Sequence, residues 1–222
     1  MNNQFTYPEN CRLIQGISNE GFQHLCSCMG AREVHLKSKE VLIHESDPVD
    51  KIGIVVKGAV CISRTVMDGH RVVLETVTAP ETFGTTYVFS GVKMNGADIT
   101  AVGEATVILL GTAHLINPCP RICDDHLQYL KNLLFIICHR NYQLKQKLRI
   151  VSQKTIRGKL MMFLYIRSRR AKSMEFDIPY DRQTLADFLC VDRSALSAEI
   201  SKLRDEGILE SHKNHFKILR HH

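Results

Sequence analysis

The sequence predicts an α+β protein with an antiparallel β barrel or sandwich, a long helix, and a C-terminal winged helix-turn-helix. Short β-branched runs separated by turn residues fill residues 31–115, as in antiparallel all-β domains. An apolar heptad pattern then extends from Leu127 to Val151, which is typical of a long paired helix. Two short capped helical segments follow between residues 181 and 207. We expect three segments, residues 1–123, 124–151 and 152–222.

Composition places the chain among ordinary globular proteins. Hydrophobic residues make up 44% and charged residues 23% of it, so the chain is not expected to be disordered. No apolar run approaches the roughly 20 residues of a membrane span, and MNNQFTYPENCR lacks a secretory pattern. We therefore expect a cytoplasmic protein that does not bind membranes. The eight cysteines are then expected to be free thiols rather than disulfides.

The predicted strands occupy the first half of the chain, after a short helix that Ser18 caps and Gly30 ends. The strand-like runs are EVHL, EVLIHE, KIGIVVKGAVCISRTV, RVVLETV and ADITAVGEATVILL. Asp68-Gly69 and Asn95-Gly96 are dipeptides of tight two-residue hairpins, whose central residues both adopt positive φ. We expect a hairpin at each of them.

The long helix carries a continuous a/d pattern with alternating spacings of three and four. Its members are Leu127, Leu130, Leu134, Ile137, Asn141, Leu144, Leu148 and Val151. An Asn at an a position costs stability but fixes register and favours two strands. The pattern predicts a parallel homodimer, and the alternative is a stripe that packs on the chain's own barrel.

The C-terminal segment predicts a helix-turn-helix. Asp181 is the expected N-cap of a helix over Arg182–Cys190, and Asp192 that of a second helix ending near Gly207. ILES, HKNH and FKILR then predict two wing strands around a turn. The face opposite the leucines of the second helix is small and polar, which suits a major groove. The predicted DNA-contacting residues are Arg182, Arg193, Ser194, Ser197, Ala198, Ser201 and Lys202. The alternative is a helical hairpin that serves only as core.

The charge distribution favours DNA as a partner. The net charge is +6, and Val151–His222 holds fourteen lysines and arginines against nine aspartates and glutamates. Arg140–Lys172 holds eleven basic residues and no acidic one. A membrane surface or a solvated helix face would also explain such a run, but beside a helix-turn-helix a polyanion is favoured.

These motifs together resemble the Crp/Fnr family of transcription regulators. EVLIHESDPVDKIGIVVKGAVCIS and DGHRVVLETVTAPETFG, with Gly58, Gly69 and Gly84, are similar to the family's cyclic-nucleotide-binding-type β-roll, a double-stranded β-helix. VDRSALSAEISKLRDEGIL resembles its recognition helix, and KNHFKIL resembles the wing of one subset. The resemblance implies a homodimeric DNA-binding regulator, not an enzyme, with RNA polymerase as a further partner and a small-molecule effector in the β-roll.

The cyclic-nucleotide anchors of the resembling family are missing. Its cAMP-binding members carry an acidic residue after Phe-Gly, for the ribose hydroxyls, and an Arg-Ser pair for the cyclic phosphate. Here Phe83-Gly84 is followed by Thr85-Thr86, and the later loop begins Asn95-Gly96. Cyclic nucleotide binding is therefore not expected.

The cysteines and histidines also depart from the family's redox and haem sensors. Cys11, Cys26 and Cys28 have the wrong spacing for an iron–sulfur cluster, and Thr106 falls near the place of the fourth ligand. The pair Cys119 and Cys123 forms a single CxxxC. Barrel histidines that would serve haem are His44 and His70. We expect no metal site and no cofactor, and a redox, metal or haem sensor remains an alternative.

What remains is a small organic effector, which the resemblance puts beside the loop after Phe83-Gly84. Helix residues at i, i+3 and i+4 spacing would meet an anionic ligand, or instead form a solvated or DNA-facing basic face. The predicted effector residues are Gly84, Thr85, Thr86, Tyr87, Asn95, Arg140, Gln143 and Lys147.

Two functions outside transcription regulation are also compatible with a β-roll. One is a cupin-like enzyme, because cupins share this architecture. The scattered positions of His44, His70 and His114 oppose it, since metal cupins cluster their histidine ligands. The second is a cyclic-nucleotide module of a signalling protein, which the absent phosphate-binding Arg and the helix-turn-helix oppose.

Overall fold

A computed structural model of the protein describes residues 4–48, 50–66, 68–87, 90–113 and 124–219. The chain forms two compact units, Met1–His139 and Arg140–His222. Their boundary lies inside the long helix, whereas the sequence suggested boundaries at its two ends, so the three-segment division stays a prediction. Within the described ranges no helix is both long and apolar enough to cross a membrane.

The first unit contains two four-stranded antiparallel sheets, with strand orders β1-β8-β3-β6 and β2-β7-β4-β5. The strands are β1 (Arg32–Leu36), β2 (Val41–Ile43), β3 (Lys51–Lys57), β4 (Ala59–Thr65), β5 (Arg71–Thr78), β6 (Thr82–Phe83), β7 (Asp98–Ala101) and β8 (Ala105–Gly111). A core of aliphatic residues from both sheets surrounds Phe83. A Cβ on Gly53 would lie 1.9 Å from the Phe83 ring, so glycine is required where this ring crosses β3.

The two predicted hairpins differ in outcome. β4 and β5 pair across the Asp68-Gly69 turn, with Thr65 opposite Arg71 and φ of +83° at Gly69, although the loop is longer than two residues. The hairpin predicted at Asn95-Gly96 is wrong. The preceding strand β6 pairs with β3, whereas β7 pairs with β2 and β4. The amides of Asn95 and Gly96 donate instead to the carbonyls of Asp47 and Glu45, so a distant loop determines this turn.

A second core in the first unit joins the N-terminal segment to the long helix. Helix α1 (Asn19–Cys28) begins at Ser18, whose hydroxyl accepts from the Gly21 amide. Helix α2 (Asp124–Val151) contributes Tyr129, Leu133 and Ile136 to the same core as α1. The long helix therefore uses one face to pack on its own unit.

The second unit is a winged helix-turn-helix, as the sequence predicts. Its elements are α3 (Ile156–Ala171), β9 (Glu175–Asp177), α4 (Arg182–Leu189), α5 (Arg193–Asp205), β10 (Leu209–His212) and β11 (His215–Ile218). The strands form an antiparallel sheet in the order β10-β11-β9. Leu185, Leu196 and Phe216 are fully buried in the common core. The α+β fold class is confirmed in both units.

Candidate DNA-binding interface and effector site

Two aspartates begin the helices of the helix-turn-helix. A carboxylate oxygen of Asp181 accepts from the Thr184 amide at 2.7 Å. Asp192 Oδ1 accepts from the amides of Ser194 at 2.8 Å and Ala195 at 3.0 Å. The hydrogen bonds from Thr184 lower the pKa of Asp181, and those from Ser194 and Ala195 lower the pKa of Asp192. Both caps therefore carry a full negative charge at neutral pH and complement the helix dipoles.

Helix α5 separates an apolar face from a polar one. Leu196, Ile200 and Leu203 are buried in the core of the unit. Arg193, Ser194, Ala198, Ser201 and Lys202 are exposed, and Ser197 is half-buried. Small side chains at the centre of the exposed face let a helix backbone approach base edges closely, with basic side chains near both ends.

A groove lies where the starts of α4 and α5 meet the wing turn. It has a volume of about 730 Å³, and its basic lining residues are Arg182, Arg193 and Lys213. Asn214 lines it as well, and Lys213 adopts a left-handed φ of +52° at the tip of the wing. The turn agrees with the sequence prediction, but Lys213 and Asn214 are not among the predicted DNA-contacting residues. The signal was present, because Lys-Asn stands between two predicted strands beside a recognition helix.

Arg182 is held differently from the other predicted DNA-contacting residues. Its guanidinium carbon lies 5.2 Å from the centroid of the Phe216 ring, and the side chain is half-buried. Burial, and then the nearby charge of Arg204, lower the pKa of Arg182. Its cation–π contact joins α4 to the wing, so Arg182 fixes the edge of the groove.

The predicted dimerisation residues divide into two groups in a single chain. Leu127, Leu134, Leu144 and Leu148 are exposed by 44%, 64%, 66% and 63%, and Asn141 is exposed as well. Leu130 and Ile137 are partly buried against the core of the first unit, and Val151 is half-buried. The structure also exposes Phe135 by 59% and Tyr142 by 50%, next to the predicted stripe. These aromatics fall outside the a and d positions, so the heptad pattern does not identify them.

The loop after β6 brings four of the predicted effector residues into one turn. The Tyr87 amide donates to the Gly84 carbonyl at 3.1 Å. Gly84 has φ of +79°, and a Cβ there would lie 2.8 Å from the Lys51 carbonyl oxygen, so the turn requires glycine. Thr85 is buried, Thr86 exposed and Tyr87 half-buried. Asn95 is in a separate loop, where its side-chain amide donates to the Ala97 carbonyl.

The three predicted effector residues of the helix belong to the second unit. The Lys147 ammonium lies 5.3 Å from the centroid of the Phe188 ring on α4. Gln143 is exposed and Arg140 half-buried. The Lys147 contact supports α4 through a cation–π interaction, and no sequence pattern predicts it. Whether these side chains meet an effector stays a prediction.

The cysteines of the described ranges are free thiols, and Cys119 and Cys123 lie outside those ranges, as does His114. Burial raises the pKa of Cys11. Burial, and then the nearby charge of Glu33, raise the pKa of Cys26 to about 12. Barrel residues His44 and His70 are exposed. Among the residues described, no group of three or more His, Cys, Asp or Glu is placed to hold a metal ion.

Two known protein-family models match this chain, one in each unit. Residues 33–119 match the model of the cyclic nucleotide-binding domain, and residues 158–222 match that of the Crp-like helix-turn-helix domain. The fold is also that of the c-di-GMP-responsive global regulator CLP from Xanthomonas campestris. That structure aligns with a TM-score of 0.53 at 14% identity, over 92% of this chain and 100% of CLP.

Two curated proteins are similar over most of the chain. The transcriptional activator protein FnrL of Cereibacter sphaeroides is 23% identical over 179 residues, which are 77% of this chain and 69% of FnrL. The nitrogen fixation regulation protein FixK of Bradyrhizobium diazoefficiens is 22% identical over 204 residues, which are 90% of this chain and 81% of FixK.

Proposed function

Because the chain belongs to the Crp/Fnr family of transcription regulators, we propose that it binds a palindromic DNA operator as a homodimer. A small organic molecule held in the β-roll would control this binding. Family membership supports a regulatory role rather than an enzymatic one. RNA polymerase is proposed as a further partner on family membership alone.

The observation that carries this proposal is the exposed polar face of α5 beside a basic groove. Arg193 belongs to both, since it is the first residue of α5 and lines the groove with Lys213. In the proposed complex Arg193 bonds to a guanine edge, and Ser194, Ser197, Ala198 and Ser201 let α5 enter the major groove. Lys202 and Lys213 neutralise phosphates on either side, while Arg182 positions the wing.

The exposed leucines of α2 support the homodimer. Four large apolar side chains at a and d positions, with Leu144 66% exposed, would cost free energy if left in water. Burial against a twin helix removes that cost, and Asn141 would pair across the axis and fix the register. Leu130 and Ile137, which pack partly on the chain's own core, would lie at the margin of the proposed seam.

The proposed effector site lies at the turn Gly84–Tyr87, with Asn95 on a neighbouring loop. Its supporting observation is chemical. Thr85 and Thr86 stand where cyclic-nucleotide-binding relatives carry an acid, and they offer hydroxyls without charge. Thr86 is exposed and Tyr87 half-buried, so both are available for a ligand. Arg140, Gln143 and Lys147 are proposed contacts of an anionic ligand from their i, i+3 and i+4 spacing alone.

One helix supports the proposed transmission of the effector signal. Tyr129 and Leu133 of α2 are buried in the core of the first unit, and Ile150 of the same helix is buried in the core of the second. Lys147 adds its contact with Phe188. Both units thus pack on residues of one continuous helix, which is the proposed route by which ligand binding changes a two-state equilibrium.

The alternative proposal within the family is a redox or metal sensor. The thiol environments give it little support, because the raised pKa values of Cys11 and Cys26 disfavour the reactive thiolate. Cys28 is half-buried, with its sulfur 3.7 Å from His24 Nε2, and Cys138 and Cys190 are exposed, so these thiols are among those that an oxidant would reach.

The decisive experiment is selection of bound duplexes from a random DNA library by the purified full-length protein. Anisotropy with the selected duplex follows at fixed salt, since phosphate contacts otherwise dominate the affinity. We expect an inverted repeat whose half-sites lie about one helical turn apart, bound by two chains. Enrichment of no sequence, or binding that does not exceed that of random duplex, would contradict the proposal.

A further inference from the structure

The outer face of the β2-β7-β4-β5 sheet holds a groove that the proposed regulator function does not use. Its volume is about 570 Å³, within the range of small-molecule sites. β-strand alternation puts Cys61, Ser63 and Thr65 of β4 on this face, whereas Val60 and Ile62 face the β-roll core. The groove and the turn at Gly84 are therefore separate features of the first unit.

Arg71 is fixed across the floor of this groove. From β5 its side chain crosses β4, where Nε donates to Ser63 Oγ at 2.7 Å. It ends at β7, where Nη2 donates to Thr100 Oγ1 at 3.3 Å. Ser63 is fully buried and Thr100 is 8% exposed, so both hydroxyls are held rigidly. Two hydroxyls on two strands thus orient the guanidinium, and most of its five N–H donors remain for another acceptor.

The charge of the groove favours an anion. Lys39 and Arg64 line it together with Arg71, and Asp98 is its one acidic lining residue. The Asp98 carboxylate accepts from the Glu45 amide at 3.0 Å and lies 3.8 Å from His44 Nδ1, so its charge is partly engaged outside the groove. A planar guanidinium in fixed orientation binds carboxylate or phosphate in bidentate fashion.

The walls of the groove favour an apolar body attached to that anion. Val41, Val73 and Val102 line it and are exposed by 40%, 58% and 51%. Three exposed valines around one fixed guanidinium form the combination of apolar walls and few placed polar groups that small-ligand sites share. An inorganic ion would leave the valines in water, whereas an amphipathic acid covers them.

We infer that this groove binds a small organic acid whose oxyanion pairs with Arg71 and whose hydrocarbon part covers Val41, Val73 and Val102. The oxyanion is a carboxylate or a phosphate monoester, since both match the guanidinium. Lys39 adds attraction without the fixed geometry of Arg71. This site is independent of the effector site proposed at Gly84–Tyr87.

Isothermal titration calorimetry of the full-length protein tests the inference with three probes, hexanoate, hexyl phosphate and uncharged 1-hexanol. We expect one of the two acids to bind with one site per chain, and hexanol to bind much more weakly. Arg71→Gln should weaken acid binding about tenfold or more, because a charged hydrogen-bonded pair is lost. Arg71→Lys should be intermediate, since it keeps the charge but not the fork.

Two further variants keep the test interpretable. Val73→Asp changes an exposed wall residue, and it should also weaken acid binding without lowering the melting temperature. Lys57→Gln removes an exposed charge from the other sheet and should bind like the wild type. Absence of saturable binding of both acids, or wild-type affinity in Arg71→Gln, would overturn the inference. Loss of binding in Thr86→Leu but not in Arg71→Gln would overturn the inference and assign the acid to the turn Gly84–Tyr87 instead.

Discussion

Arg193 stands where three features of the second unit meet. It is the first residue of α5, it follows the capping carboxylate of Asp192, and it lines the groove with Lys213. Asp192 Oδ1 accepts from the amides of Ser194 and Ala195, and the side chain of Arg193 is exposed. Arg193 therefore remains available for a base or a phosphate, and these two partners have different consequences.

Arg193→Ala should reduce discrimination at one base-pair position by about 1–3 kcal/mol, because a bidentate guanine contact is lost. The measurement is anisotropy with the selected duplex and single-base variants of it. Arg169→Ala, which removes an exposed charge from the end of α3, is the matched control and should leave discrimination unchanged. An equal loss of affinity for the selected duplex and for random duplex would mean that Arg193 contacts phosphate only.

His215 makes the wing sensitive to pH. Its ring nitrogens lie 3.0 Å from Asp177 Oδ1 and 3.2 Å from Glu175 Oε1, and the hydrogen bond to Asp177 is the main cause that raises the pKa of His215 above its usual 6.5. The resulting stabilisation is complete below the unfolded pKa and disappears as the pH rises through the folded one. The His215–Asp177 hydrogen bond joins β11 to β9, since the two residues lie opposite each other in the sheet.

The melting temperature of His215→Gln should therefore lie further below that of the wild type at about pH 5.5 than at about pH 8.5. Asp177→Asn should reduce that difference, since it removes the main partner of His215. The unusual pKa values of Asp181 and Asp192 do not interfere, because both are lowered and act only in stronger acid. A separation that is constant across this pH range would show that His215 stabilises the wing by packing alone.

The contacts that could be predicted from the sequence are those between residues close together in the chain. Asp181 and Asp192 cap amides two or three residues ahead, and such local patterns have a spacing rule. The Arg182–Phe216 contact and the Arg71–Ser63–Thr100 arrangement join residues from different elements. No local spacing encodes them, because they depend on strand register and on how helices pack.

Among the elements, α2 carries two apolar faces, one buried in its own unit and one exposed. Its Tyr129, Leu133 and Ile136 are buried in the first unit, while Leu134, Leu144 and Leu148 are exposed. A helix that packs one face on its own unit and leaves a second apolar face uncovered is suited to a twin helix. The exposed Phe135 and Tyr142 raise a second possibility, that the seam lies closer to these aromatics.

Leu134→Lys and Leu144→Lys should convert the dimer to monomers in sedimentation experiments, because each would bury a charge at the dimer axis. Tyr142→Lys puts the same charge at a neighbouring exposed position and should remain dimeric. Asn141→Leu should stabilise the dimer, as the polar a position is lost. Monomers from Tyr142→Lys but not from Leu144→Lys would shift the seam to the aromatic side, and dimers from every variant would contradict a coiled coil.

The strands illustrate what periodicity and turn residues determine. Short β-branched runs divided by turn residues predicted the strand-rich region, and Gly69 adopts the positive φ that its hairpin needs. Asn95-Gly96 has the same dipeptide chemistry, yet its amides donate to Glu45 and Asp47. Pairing in a β-roll joins strands distant in sequence, so a favourable turn dipeptide does not establish which strands are neighbours.

At the scale of the whole molecule, the proposed response starts either from binding of a small molecule or from oxidation of thiols. The most buried thiols, Cys11 and Cys26, belong to the core that α1 shares with α2, so their replacement affects packing before it affects any redox chemistry. The turn at Gly84 has exposed and half-buried side chains at Thr86 and Tyr87. A small molecule therefore has access to this turn, whereas a dissolved oxidant does not readily reach Cys11 and Cys26, whose pKa values are raised; Cys138 and Cys190 are the exposed thiols of the described residues.

We therefore expect that the effector response does not need the cysteines. The variant combines alanine at the buried Cys11 and Cys26, which avoids burying a hydroxyl, with serine at Cys28, Cys119 and Cys123. It should bind the selected duplex and keep the wild-type response to the true effector. That effector is identified by native mass spectrometry of freshly purified protein, which also reports any bound metal or cluster.

Thr86→Leu and Tyr87→Ala should have the opposite phenotype, with a weakened effector response at unchanged basal affinity for DNA. Both side chains reach solvent, so neither change creates a cavity in the core, and circular dichroism should show an unchanged fold. Anisotropy at fixed salt compares all variants. If the wild type binds DNA only when oxidised or metal-loaded, and the cysteine variant responds to neither treatment, then the thiols are the sensor and the small-molecule proposal is wrong.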